Sequence, residues 1–69
     1  MKLMQLSEAR KKLLEKQEQL TPHLTFTLIR DTLQYKGHSG VYWIIGKLVE
    51  NGMLKEVDLG EGKKGYRVM

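Results

Sequence analysis

Sixty-nine residues with 41% hydrophobic content predict a single domain, 1–69, near the lower size at which a core sustains a fold unaided. The absence of cysteine excludes disulfides, thiolate metal sites and cysteine nucleophiles, and no cofactor is expected. The net charge is +4, with six Lys/Arg against four Asp/Glu in each of 1–35 and 36–69, a modest excess that agrees with a polyanionic partner.

The longest uninterrupted apolar run, Val41–Ile45, is far too short for a membrane span, and no membrane partner is expected. The opening residues MKLMQL turn polar too soon for a signal peptide. The expected location is therefore the cytoplasm.

Ser7 is placed to cap a first helix, with Glu8 in the opening turn where the helix dipole favours negative charge. The helix runs through SEARKKLLEKQEQ, with Ala9, Leu13 and Leu14 on one stripe, and its KQEQ turn reads as solvated. Leu20-Thr21-Pro22 ends it, because a residue before proline avoids the helical region. Thr25 then caps FTLIRDTLQ, in which Phe26, Ile29 and Leu33 share the spacing of one buried face.

Tyr35-Lys36-Gly37 is a compact break. A third helix starts near His38 or Ser39 and stops at Asn51-Gly52, where glycine takes the left-handed cap. Beyond it the period changes. Leu54, Val57 and Leu59 form a short extended run, and Tyr66 and Val68 alternate with Arg67 and Met69. Between them GEGKKG, residues 60–65, is the expected reversal. Three helices and one hairpin define an α+β winged helix-turn-helix, with 38–51 as recognition helix, 54–68 as the wing and 60–65 as its tip.

At roughly 100° per residue, Val41, Ile44, Ile45 and Leu48 cluster on one side of the third helix. Ser39, Trp43, Gly46 and Glu50 point the opposite way, with Tyr42 and Val49 on one flank and Gly40 and Lys47 on the other. An interior glycine costs about 1 kcal/mol relative to alanine. Close approach by a foreign backbone would explain why Gly46 is there.

The segment TPHLTFTLIRDTLQYKGHSGVYWIIGKLVENGMLKEV resembles the winged-helix DNA-binding domain of LexA-type repressors. The family's Pro-Thr start, Ile-x-x-x-Leu helix, Tyr-Lys-Ser type turn and Val-x-x-x-Leu-x-x-Leu helix ending in Gly correspond to particular residues here. They are Pro22 and Thr25, Ile29 and Leu33, Tyr35-Lys36-Gly37, then Val41, Ile45, Leu48 and Gly52. KEVDLGEGKKGYRV is similar to the family's wing in layout. The resemblance covers about two thirds of the chain, implies a repressor-type DNA-binding domain, and rests mostly on core positions. The family's self-cleaving, dimerising domain has no counterpart in these residues. Where the family offers small and polar groups to bases, this chain follows Ser39 and Gly40 with Tyr42 and Trp43.

Double-stranded DNA is the first expected partner, with the third helix entering the major groove N-terminal end first. Ser39 would meet a base edge or phosphate, His38 a phosphate or guanine N7, and Gly40 would let the helix sit deep. Tyr42 and Trp43 would meet thymine methyls or the sugar–phosphate rail, beside the opening at Gly46. Lys36, Lys47, Lys63, Lys64 and Arg67 would neutralise phosphates. A homodimer is plausible on this reading, since one helix rarely discriminates enough bases, and Leu3, Met4 and Leu6 are candidates for its surface.

A second reading makes the same face a protein-docking surface, as in a small viral or plasmid antirepressor or an adaptor. Trp43 and Tyr42 are hot-spot residue types, and Glu50 would repel DNA. Trp43 could also pair two copies, or fold back to complete a thin core. RNA binding and a purely structural role stay open beside these.

Other signals fail. Gly60 to Gly65 matches G-x-G-x-x-G, but only Tyr66 to Met69 follow, too few for the helix that would face a pyrophosphate. His23 and His38 lack the company a zinc site needs, and Asp31, His38 and Ser39 do not converge as a catalytic set. No enzyme activity and no metal are expected.

Overall fold

The computed structural model describes residues 5–20 and 23–69. Helix α1 spans Leu6–Leu20, α2 Phe26–Leu33 and α3 His38–Glu50; strands β1 (Leu54–Gly60) and β2 (Lys63–Val68) follow. The order is the expected winged helix-turn-helix. Thr21 and Pro22, the expected stop of α1, and Leu3 and Met4 of the suggested dimer surface lie outside the described residues.

Ser7 is not the cap it was expected to be. The helix already includes Leu6, and the Ala9 N–H donates to the Gln5 carbonyl at 3.0 Å, so Ser7 lies inside the first turn. Ala9 and Leu13 are fully buried. Thr25 does cap α2: its hydroxyl accepts the Leu28 N–H at 3.2 Å. The helix closes at Gln34, a left-handed cap (φ 60°) whose N–H reaches back to the carbonyls of Arg30 and Asp31.

The core gathers Ala9, Leu13, Leu24, Ile29, Leu33, Val41, Ile44, Ile45, Leu48, Leu54 and Val68. All four aliphatics assigned to the inner side of α3 are among them. Removing each such side chain from water stabilises by about 1.5–3 kcal/mol.

β1 and β2 pair antiparallel, with Leu54 opposite Val68, Lys55 opposite Arg67, Glu56 opposite Tyr66 and Asp58 opposite Lys64. The register slips at Leu59, between Asp58 and Gly60. The reversal is tighter than the GEGKKG segment suggested. Glu61 and Gly62 form a two-residue turn, both with positive φ (54° and 74°), the geometry that matches strand twist. Lys63, Lys64 and Gly65 therefore belong to β2 rather than to the tip.

One β-bridge outside the hairpin has no counterpart in the sequence pattern. Leu24 bridges Tyr66, with N–H to carbonyl distances of 2.6 and 2.7 Å in the two directions. Gly65 is buried where this segment crosses: an added Cβ would lie 3.2 Å from the His23 ring and 3.3 Å from the Leu24 carbonyl. Its glycine answers to crowding in the sheet, not to a turn. Two more ties join α1 to the end of the hairpin, one from Arg10 Nη2 to the Met69 carbonyl and one from the Val68 N–H to Gln17 Oε1, each 2.8 Å. Gln17, in the turn expected to be solvated, is thus partly buried and structural.

Candidate nucleic-acid interface

Helix α3 is held by its inner side and shows the other. Ser39, Tyr42, Trp43, Gly46 and Glu50 are exposed, Tyr42 by 64% and Trp43 by 41%. Trp43 is exposed and is not part of the buried core. Val49, 40% exposed, continues the apolar flank beyond Tyr42.

The two interior glycines of α3 have different reasons. A Cβ at Gly40 would lie 2.9 Å from Tyr35 Cδ1, so the glycine makes room for a ring of its own domain rather than for a deep groove. At Gly46 nothing lies within 4 Å of the added Cβ. No packing requirement among the described residues calls for that glycine, which faces open space.

Phe26 was assigned to the buried face of α2. It stands instead half-buried at the edge of the core, where it supports the N-terminal part of α3. Its ring centroid is 5.4 Å from that of His38 and 4.7 Å from that of Tyr42, in tilted packing. The phenyl thus orients two of the site residues. Its i, i+3, i+7 relation to Ile29 and Leu33 hid that role.

The cations differ in how free they are. Lys36, Lys63 and Arg67 are exposed and make no ion pair among the described residues. Lys47 lies 3.7 Å from Glu50 on the next turn. Lys64 Nζ lies 2.9 Å from Glu56 Oε1, a hydrogen-bonded pair that raises the lysine pKa above its usual 10.5. Tyr66, opposite Glu56, is also raised above its usual 10.0, first by partial burial and then by the Glu56 charge.

Sequence reasoning passed over Lys55, Glu56, Tyr66 and Phe26. Lys55 and Arg67 are directly opposed like charges on an exposed part of the wing. Even with the turn set at Glu61-Gly62, regular pairing would put Lys55 opposite Val68; the irregularity at Leu59 shifts the register by one and brings Lys55 to Arg67. Among the described residues no group of three or more His, Asp or Glu is arranged to hold a metal ion. Among them too, no helix is long and apolar enough to cross a membrane.

The arrangement offers a helix with an aromatic and hydroxyl outer side, flanked by a cationic loop at Lys36 and a hairpin of mixed charge. No family model matches the sequence. No curated protein matches it either. Two solved structures share the fold. A ferric uptake regulator from Francisella tularensis, solved with iron, aligns at a TM-score of 0.67 and 21% identity over 99% of this chain and 53% of that one. A peroxide stress regulator from Campylobacter jejuni aligns at 0.63 and 18% identity over 91% and 49%. This chain spans about half the length of each. Neither is named as a LexA-type protein; what the comparisons support of the LexA resemblance is its winged-helix architecture. The chain has the fold of winged-helix regulators.

Proposed function

We propose that the chain is a double-stranded DNA-binding domain of a small, repressor-type transcriptional regulator. In this reading α3 enters the major groove and the hairpin 54–68 lies along the flanking backbone. The observation that carries it is the outer side of α3: Ser39, Tyr42, Trp43 and Gly46 are held outward by four buried aliphatics and steadied by Phe26. The likeness to two winged-helix regulators supports the reading without extending their ligands to this chain. A homodimer is the natural form, because one helix samples few base pairs.

A second reading is favoured by a specific feature. Tyr42, Trp43 and Val49 expose apolar surface around the empty space at Gly46, and Glu50 stands beside them. That composition suits docking onto a protein, as an antirepressor or adaptor would.

Trp43, the single tryptophan, is the reporter that separates the two. Titration with random duplex DNA at two salt concentrations should change its emission, with affinity falling steeply as salt rises. No change at low salt overturns the DNA reading and favours the docking one.

A further inference from the structure

The wing carries its strongest charge contact on the side it shares with Tyr66. Glu56 opposes Tyr66 in the register, and Lys64 reaches diagonally across to Glu56 at 2.9 Å. Asp58, opposite Lys64, adds a second carboxylate to the neighbourhood. The pair is exposed and lies on the same face of the wing as Tyr66.

From this placement we propose that Glu56 is an affinity-setting residue: its carboxylate holds the Lys64 ammonium and withholds it from DNA phosphates, limiting sequence-independent binding. The inference rests on the DNA reading above and deepens it. Phosphate contacts by free cations supply nearly all non-specific affinity, and each adds a salt-dependence slope of about −0.9. A lysine already neutralised in the free protein has little to add. An exposed ion pair contributes little to folding, so Glu56 can be changed without loss of the fold.

The test is a salt titration of binding to random duplex DNA by the wild type, Glu56→Gln, Lys64→Ala and the double variant, with thermal melting to confirm folding. Glu56→Gln should bind roughly 3- to 10-fold more tightly at low salt and steepen the slope by about 0.9. The steepening should vanish in the double variant. An unchanged slope in Glu56→Gln overturns the proposal, as does equal steepening with and without Lys64, which would mark a general charge effect. Wild-type protein that binds no duplex at low salt overturns the DNA reading itself, and the role of Glu56 with it.

Discussion

Gln17 Oε1 accepts the backbone N–H of Val68 at 2.8 Å, joining α1 to β2 across 51 positions of the chain. Val68 is buried at the end of β2, and among the described residues its N–H is met by this side chain rather than by another strand. A side-chain amide on a neighbouring helix does the work of a missing strand.

Gln17→Ala should lower the unfolding free energy by about 1–3 kcal/mol, because a partly buried amide loses its partner. The change should appear as a lower urea midpoint at an unaltered slope. Gln17→Glu keeps an acceptor in place and should cost less. A midpoint unmoved by the alanine would show that water satisfies Val68 equally well.

Gly40 and Gly46 should respond oppositely to alanine. Gly40→Ala drives a methyl against the Tyr35 ring and should destabilise by about 1–3 kcal/mol, less whatever helix propensity returns. Gly46→Ala meets nothing and should stabilise by about 0.5–1 kcal/mol. On the DNA reading the second variant should also bind duplex more weakly, so stability and affinity would move apart. Denaturant midpoints and a binding titration decide both.

The two adjacent residues Trp43 and Ile44 give a direct check on which side of α3 is buried. Ile44→Ala removes a fully buried side chain and should cost about 2–5 kcal/mol. Trp43→Ala should cost only about 1 kcal/mol while reducing DNA affinity. In the wild type, acrylamide should quench the indole readily before DNA is added and poorly afterwards.

How much of this was legible in the sequence depends on the range of the interaction. The inner side of α3 was readable, because Val41, Ile44, Ile45 and Leu48 follow the helical repeat. Thr25 as a cap was readable for the same local reason. Gln17 was not: nothing in KQEQ distinguishes the amide that faces β2 from its solvated neighbours. The Leu24 bridge to Tyr66 was invisible too, since a single bridge has no period. Gly40 and Gly46 look alike as letters, and only the position of Tyr35 tells them apart. In the candidate site, the residues of α3 were legible, whereas Glu56 needed the wing register before its hold on Lys64 could be seen.

Alkaline solution should weaken the fold partly through Tyr66. Its pKa is raised in the folded state, so the folded chain keeps the phenolic proton where the unfolded chain has released it. That contribution is fully present below the ordinary value of 10.0 and is lost as pH rises through the folded value. Lys64, also raised, acts in the same direction above 10.5. Tyr66→Phe should therefore show a shallower decline of stability as pH rises above 10.0. Parallel profiles for the two proteins would remove Tyr66 as a cause.

Residues 66–69 grip the first half of the chain at three places: Tyr66 on Leu24, Val68 on Gln17 and Met69 on Arg10. During synthesis all three helices leave the ribosome before any of these links can close. The apolar stripe of α1, which packs against β2, stays incompletely covered until then. Completion is consequently a late event with high sequence separation, slow to nucleate and cooperative once begun. A nascent chain paused before Lys63 would present proteases and chaperones with wet aliphatic side chains.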